Sequence, residues 1–435
     1  MFTSLNDPTV ESGLQKQLDI IVSETVRTFG SECTIILGGG FGRGEGSIRL
    51  TDRTPIPLHD FDLYVVTDRK IDTGTSDSIQ RTVLKQLSQL TGHDLAEQGF
   101  VLGVEIVPLN SLTRLPPDLS TYEMKASSTV LYGPDIRSRI PVTKRDIALA
   151  SGAITLFHRV TALLKNVEPE YLRSREYPVA RRLEAVYECC KVYTEICTAL
   201  SLLGGFYEPS YRARALRFQQ NYHLFPDLQN DLPDLADLVS THTEMKLSSD
   251  FSSIIQRPVE SWIRARQALD VSLRFFLSKF LGMNCQKGDW NSLYPEAVKK
   301  MRWVFFQQYL SYYLRRLGVR GAPLVHAASV LFQAYDFQSF RGKARRFGRY
   351  PSSNIFSFTS PIINVYLSSA LVLFSLLDDG EIDHDLLRKG REHLESVFFV
   401  REDILQEEEL WKMSRDDCVA GQWLYFGIKQ QKMVH

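Results

Sequence analysis

The most informative part of the sequence is Cys33-Thr-Ile-Ile-Leu-Gly-Gly-Gly-Phe-Gly-Arg-Gly-Glu-Gly46, which His59-Asp-Phe-Asp-Leu-Tyr-Val-Val66 follows after a short spacer. The apolar run at 33–37 is typical of a buried strand, and residues 61–66 have the same character. Because glycine lacks a side chain and accepts positive φ, the backbone after the first strand can approach an anion closely. These segments therefore predict two strands with a glycine-rich loop between them.

Helical patterns flank the two strands. Apolar residues recur at helical spacing over 14–29 and again over 79–90, where Ser76 or Asp77 is the expected N-cap. A third strand is predicted at 101–109. The order helix, strand, glycine loop, strand, helix, strand predicts an α/β (α+β) domain built on a small mixed sheet.

From about residue 144 onward the chain shows long amphipathic stretches and no alternating run of comparable strength. These stretches lie at 144–165, 176–203, 256–281, 299–317, 324–338 and 361–377. The pattern predicts a large all-helical C-terminal region. Residues 284–292 form the clearest polar break, so we expect domains at 1–140, at 141–283 and at 284–435, the last a second helical domain or a continuation of the first.

The composition is that of a globular protein of two or three domains. The 435 residues include 51 basic and 51 acidic side chains, which disfavours extended binding to nucleic acid, although residues 251–350 alone hold 17 basic and 5 acidic ones. Six cysteines without CxxC spacing, and a start unlike a leader peptide, favour a reduced cytoplasmic protein. The apolar run 362–377 contains Asn364 and other polar residues, so we expect a buried helix and no membrane partner.

Three carboxylates fall on the predicted strands. Asp60 and Asp62 are two residues apart and therefore project from one face, and Glu105 lies on the strand expected beside theirs. Like charges held side by side are unfavourable unless cations bridge them. Carboxylate oxygens suit Mg²⁺, so the three acids predict a site for two Mg²⁺ ions about 4 Å apart, an arrangement for in-line phosphoryl or nucleotidyl transfer.

The order of these motifs resembles the polymerase-β-like nucleotidyltransferase superfamily, whose signature is a strand ending in Gly-Gly, then Asp-x-Asp, then an acid on a later strand. The string Gly39-Gly-Phe-Gly-Arg-Gly-Glu45 is similar to the glycine motif of bacterial protein uridylyltransferases. The resemblance covers about residues 30–135 and implies a nucleotidyltransferase domain. It also implies that Asp60 and Asp62 bind metal and that Glu105 completes the triad or serves as general base.

The resemblance implies that Gly39 and Gly40 lie over the nucleotide phosphates. The full set of candidate nucleotide-binding residues is Gly39, Gly40, Gly42, Arg43, Gly44 and Lys125. Two of them have a second interpretation: Arg43 either grips a phosphate or pairs with a surface acid, and Lys125 either reaches the triphosphate or is a surface lysine. His59 is expected to neighbour the site without binding metal. The spacer between Glu45 and Asp60 is longer than in the relatives and predicts an extra loop.

The expected activity is Mg²⁺-dependent transfer of a nucleotide from a nucleoside triphosphate such as ATP to an acceptor hydroxyl, with release of pyrophosphate. A small-molecule acceptor suits the neutral total charge and is slightly favoured. An RNA acceptor suits the basic, aromatic stretch at 340–350, and a protein acceptor suits the likeness to uridylyltransferases. An interpretation of another class is a nucleotide-binding sensor or scaffold without turnover.

Overall fold

The computed structural model describes residues 1–49, 54–58, 60–69, 75–95, 100–283, 290–318, 322–346, 359–397 and 406–426. Of residues 76, 77, 291, 322 and 346 only the backbone is described. Several sequence predictions lie outside these residues: the placement of His59, the first two residues of the extra loop predicted at 52–57, the two N-cap side chains of the helix predicted at 79–90, most of the break at 284–292, and the end of the basic stretch after residue 345.

The N-terminal part combines helices with short strands. Its helices are α1 (Pro8–Phe29), α2 (Gly39–Gly42), α3 (Thr75–Thr91) and α4 (Leu119–Ala126), and its strands are β1 (Thr34–Leu37), β2 (Ile48–Arg49), β3 (Ile56–Pro57), β4 (Asp60–Thr67), β5 (Val101–Pro108) and β6 (Thr129–Tyr132). The two helices and three strands predicted from the sequence correspond to α1, α3, β1, β4 and β5. The sequence analysis does not predict β2, β3 or β6 as strands.

Four strands form one mixed sheet in the order β5-β4-β1-β6. β1 pairs antiparallel with β4 on one side and with β6 on the other, whereas β4 and β5 are parallel. A parallel pair needs a crossover, which α3 supplies while it packs against α1 and β5. The predicted small mixed sheet is therefore confirmed, with one strand more than expected.

Packing divides the chain into two compact units. The first contains Met1–Ile147 together with two later segments, Tyr207–Arg217 and Ser240–Asp250. The second contains Ala148–Phe206, Phe218–Val239 and Phe251–His435. This division differs from the predicted boundaries, because two short segments from beyond residue 200 belong with the N-terminal unit and residues 251–435 fall into one unit.

Beyond residue 147 the described chain is helical, apart from one bridge between Leu376 and Ile382. Its helices are α5 (Ala150–Lys165), α6 (Pro169–Ser174), α7 (Arg182–Leu203), α8 (Tyr211–Asn221), α9 (Pro226–Asp231), α10 (Leu235–Ser248), α11 (Pro258–Phe280), α12 (Trp290–Arg316), α13 (Ala322–Arg346), α14 (Pro361–Ser375), α15 (His384–Glu395) and α16 (Glu407–Phe426). Each of the six predicted amphipathic stretches overlaps one of these helices. The predicted helical C-terminal region is confirmed for the described residues.

Helix α14 is the centre of the second unit. All of its residues are buried, and it packs against α5, α12, α15 and α16. A helix that is apolar all round requires such enclosure. The predicted buried helix is therefore confirmed, and no helix of the described ranges is long and apolar enough to cross a membrane.

Candidate active site

Asp60 and Asp62 lie on β4, on the face opposite the hydrophobic core of the first unit. Side chains alternate along this strand, so Phe61 and Leu63 enter the core, where both are at most 1% exposed, while the two aspartates are half-buried. This is the alternation that a strand with one buried face requires. The predicted placement of the two carboxylates on one face is confirmed.

Glu105 lies on the same face as the two aspartates. In the parallel pairing of β4 with β5, Asp62 is opposite Gly103 and Tyr64 is opposite Glu105. Since paired residues of neighbouring strands project from the same side of a sheet, Glu105 follows Asp62 along this face by two residues. The three predicted acids are thus brought to one side of the β4–β5 pair.

The glycine loop, defined here as residues 38–46, lies against Asp62. The Gly38 N–H donates to the Asp62 carbonyl at 2.7 Å. Gly39 has φ +59°, and a Cβ on it would be 2.2 Å from Asp62 Oδ2, while a Cβ on Gly103 would be 3.3 Å from Oδ1. The Asp62 carboxylate therefore occupies space between two glycines, and position 39 has room for no side chain.

We expect Gly39→Ala to lower the Tm and to displace the Asp62 carboxylate, because the new methyl group would lie 2.2 Å from Asp62 Oδ2 and the backbone would be strained as well. Gly92→Ala is the matched control: its φ is +73°, but no atom lies within 4 Å of the added Cβ. The left-handed strain alone costs about 1 kcal/mol. Thermal unfolding of both variants tests this, and an equal decrease in Tm for both would contradict the close contact at Gly39.

Arg43 is buried and paired with an acid. Its side chain is 6% exposed, one guanidinium nitrogen lies 2.8 Å from Glu123 Oε1, and the guanidinium carbon lies 4.4 Å from the centre of the Tyr211 ring. Burial lowers the pKa of Arg43, but attraction to Glu123 outweighs it and holds the pKa well above its usual range. Of the two interpretations of Arg43, the structure shows the pairing with an acid, and that acid is largely buried instead of lying on the surface.

Glu123, on α4, is the acceptor at the centre of this buried cluster. The Tyr207 hydroxyl donates to it, and Arg214 lies 3.8 Å from the same oxygen that faces Arg43. Burial raises the pKa of Glu123, but the two arginines and the tyrosine hydroxyl outweigh it, so the net pKa is lowered. The cluster therefore needs Glu123 ionised.

We expect Glu123→Gln to lower the free energy of unfolding at pH 7 by about 3 kcal/mol, because it leaves buried cations without their carboxylate. Since the folded pKa lies below the ordinary value of 4.5, this stabilisation is present above pH 4.5 and is lost as the pH falls through the folded pKa. Urea unfolding at pH 7 and pH 3.5 tests the prediction. The difference in free energy of unfolding between wild type and variant should be smaller at pH 3.5 than at pH 7.

Asp227→Asn is the control for this comparison, because Asp227 pairs with Lys279 at 3.3 Å through side chains that are about half exposed. Such a surface pair contributes at most about 1 kcal/mol. A gap for Glu123→Gln that stays constant with pH, or that is no larger than the gap for Asp227→Asn, would contradict the ionised buried pair.

The remaining candidate residues occupy defined places as well. Lys125 donates from Nζ to the Val142 carbonyl at 3.1 Å, which ties α4 to the chain that follows it. Gly40 accepts from the Glu45 N–H at 2.8 Å, and the Gly44 N–H donates to the Phe41 carbonyl at 3.3 Å. Within the loop, a Cβ on Gly42 would lie 2.1 Å from the Leu37 carbonyl oxygen, so the backbone passes too close for a side chain.

The acidic side chains of this site suit a hard divalent cation such as Mg²⁺ only in part. Carboxylate oxygens are the ligands that Mg²⁺ prefers, and Asp60 with Asp62 offers two of them from one strand face. In the parts of the chain that the structure describes, however, no three His, Cys, Asp or Glu side chains are gathered closely enough to hold a metal ion. Mg²⁺ is commonly held by one or two carboxylates plus substrate phosphates, so the aspartate pair fits and the two-ion site stays a prediction.

No protein-family model matches this chain, and a search of curated proteins finds no significant match. The likeness to the nucleotidyltransferase superfamily therefore stays a prediction.

A fourth acid and a tyrosine belong to the same neighbourhood and are missed by the sequence analysis. Asp118 is the N-cap of α4, where it accepts from the Thr121 N–H at 2.8 Å. Glu105 is exposed to solvent, yet partial desolvation by the surrounding protein raises its pKa, and repulsion from Asp118 raises it further. Tyr64 has a raised pKa because of burial and then because of Asp62 and Glu105. No sequence motif places Asp118 near Glu105, so only the fold brings the two acids close enough to repel each other.

Proposed function

We propose that this protein is a nucleotidyltransferase, which moves a nucleoside monophosphate from a nucleoside triphosphate to an acceptor hydroxyl. The observation that supports it most is the placement of Asp60, Asp62 and Glu105 on one face of the β4–β5 pair, with the Asp62 carboxylate against the backbone at Gly39. A carboxylate pair next to bare main chain can receive a metal-bound triphosphate, because the cation meets the acids while the phosphates approach the backbone.

The chain's own residues have separate roles in this proposal. Asp60 and Asp62 hold Mg²⁺, which when bound neutralises charge on the triphosphate. Helix α2 begins at Gly39, and the first N–H groups of a helix have no acceptor within the helix. The glycine loop therefore orients the phosphates through its backbone, and Arg43 stays in its pair with Glu123.

Glu105 is assigned the role of general base to the acceptor hydroxyl. Glu105 is exposed to solvent, but partial desolvation by the surrounding protein and repulsion from Asp118 raise its pKa, which moves it towards the pH at which a base works best. It also lies two residues beyond Asp62 along the sheet face, on the neighbouring strand. This placement separates the proton-accepting acid from the aspartate pair.

The proposal is tested by incubating the protein with Mg²⁺ and each of the four α-labelled triphosphates, with cell extract as the source of acceptor. Label should move to a product with wild type and fall by at least ~10³-fold with Asp60→Asn or Asp62→Asn, because charge neutralisation supplies most of the catalysis. Glu105→Gln should lose transfer while it retains nucleotide binding.

Asp68→Asn is the matched control, since Asp68 is an exposed aspartate directly after the other end of β4. At about 3.3 Å per strand residue it lies roughly 20 Å from Asp62. Equal activity of Asp62→Asn and wild type, or equal loss with Asp68→Asn, would contradict the site.

A second candidate is a nucleotide-binding sensor or scaffold without turnover. It is favoured by the finding that the described residues hold no gathered set of three metal-ligating side chains. Nucleotide binding by wild type without transfer of label from any of the four triphosphates would support this candidate and exclude the enzyme.

The acceptor is proposed to be a small molecule, in keeping with a chain whose 51 basic and 51 acidic residues balance. Between 50 mM and 200 mM salt we expect little change in the KM for the acceptor. An RNA acceptor that contacts several cations would instead bind about 10³-fold or more weakly over this range. Fractionating the extract into small molecules, RNA and protein before the assay identifies the class directly, with a protein acceptor as the third outcome.

A further inference from the structure

The side chain of Glu45, in the glycine loop, binds the start of a distant helix in the same unit. Its carboxylate accepts from the Ser210 hydroxyl at 2.7 Å, from the Tyr211 N–H at 2.7 Å and from the Arg212 N–H at 3.2 Å. The Glu45 side chain is only 10% exposed. A buried carboxylate with three donors is firmly held, because each donor meets a full negative charge.

These bonds complete the N-terminus of α8. The first four N–H groups of a helix lack acceptors within it. In α8, the Glu45 carboxylate accepts from the N–H groups of Tyr211 and Arg212. The Ser210 hydroxyl accepts from the Ala213 N–H at 3.1 Å, and the Ser210 carbonyl accepts from the Arg214 N–H at 2.9 Å. Three of the unpaired N–H groups are therefore satisfied by side chains, and two of the three depend on Glu45, which lies 166 and 167 positions before Tyr211 and Arg212; the bond from Arg214 to the Ser210 carbonyl is the first of the ordinary helical pattern.

The backbone of Glu45 shapes the loop at the same time. Its N–H donates to the Gly40 carbonyl at 2.8 Å, which closes the turn that begins beside Asp62. The same residue thus sets the backbone of the loop through its main chain and fixes it to residues 207–217 through its side chain. A change at the Glu45 carboxylate is therefore expected to shift the backbone of Gly39 and Gly40, because the hydrogen bond from Glu45 to Gly40 connects them.

Arg43 reinforces the same connection. Its guanidinium lies over the Tyr211 ring, where Lys246 Nζ is 4.1 Å and Arg214 is 4.9 Å from the ring centre. Arg43 and Glu45 alternate with glycines in the loop, and both reach the first turn of α8. The two charged side chains of the loop both hold it in place, and for Arg43 this corresponds to the second of its two interpretations, pairing with an acid.

We propose that Glu45 is a positioning residue, which holds the glycine loop in its nucleotide-binding shape by anchoring it to the N-terminus of α8. This inference rests on the proposed function, since it assigns the loop a nucleotide to bind. Glu45 does not touch the substrate; it acts through the backbone at Gly39 and Gly40. Its loss is expected to weaken binding of the triphosphate and to leave binding of the acceptor unchanged.

Glu45→Gln tests this assignment, because it keeps the length of the side chain and removes the charge. We expect the KM for the triphosphate to rise about tenfold or more, with the KM for the acceptor unchanged, as misplaced positioning groups commonly cause. The dissociation constant of a fluorescent nucleotide analogue with Mg²⁺ should rise by the same factor. Thermal unfolding should also show a lower Tm than wild type, because the buried carboxylate loses the charge that its three donors meet, so nucleotide affinity is the measurement that decides the positioning role.

Glu244→Gln is the matched control. Glu244 accepts from the Arg212 side chain at 2.9 Å, but both side chains are more than half exposed and neither contacts the loop through this pair. We expect no change in nucleotide binding, since exposed ion pairs contribute little. If Glu45→Gln fails to fold, Ser210→Ala removes one donor to the carboxylate and should raise the same KM by a smaller factor.

The outcomes separate the two proposals. A decrease in Tm for Glu45→Gln with unchanged nucleotide affinity would overturn the positioning role and leave Glu45 as a helix cap only. Wild type that binds the nucleotide analogue without any transfer of label would overturn the proposed enzyme, while the effect of Glu45→Gln on binding would still decide the positioning role. Wild type that binds no nucleotide would overturn both.

Discussion

The close contact between the Asp62 carboxylate and the Gly39 backbone determines how the first unit is put together. β1 leads directly into the glycine loop, and the loop turns back over β4 because the Gly38 N–H bonds to the Asp62 carbonyl. A side chain at position 39 would occupy the space of the carboxylate oxygen. The pairing of β1 with β4, the turn at Gly38 and Gly39, and the face that carries Asp62 therefore depend on one another. In particular, the position of the Asp62 carboxylate favours glycine at residue 39.

The charged residues of the glycine loop show how a basic side chain next to glycines can have a structural purpose. Arg43 offers the charge that a phosphate needs, yet its partners are a carboxylate on α4 and a tyrosine ring on α8. Removing it from that pair would leave two buried groups unsatisfied. The phosphate contacts of the proposed site are thus assigned to main-chain groups, which need no side chain to move.

The sequence is sufficient to predict the features that depend on local patterns. Alternation along β4, the glycines after β1 and the helical spacing in α1 and α3 are readable because each follows from the geometry of one element. The placement of Glu105 beside the aspartates also follows, since its strand is expected to lie beside β4; the parallel direction of that pairing comes from the fold. What the sequence does not supply is the pairing of distant segments. Glu123, Asp118 and residues 207–217 carry no motif, and only tertiary packing brings them to the loop.

The discontinuous first unit has a consequence for how the protein is made. Residues 207–217 and 240–250 complete a unit that begins at residue 1, so the three donors to Glu45 and the Tyr211 ring beside Arg43 are absent until residues 210–212 have left the ribosome. Domains usually fold as units during synthesis, from the N-terminus onward. Here a nascent chain that stops at residue 147 would contain the Arg43–Glu123 pair, but Glu45 would lack its donors at Ser210, Tyr211 and Arg212. The glycine loop therefore reaches its final structure only after residues 207–217 have been synthesised. By then residues 148–206 of the helical second unit have been made as well.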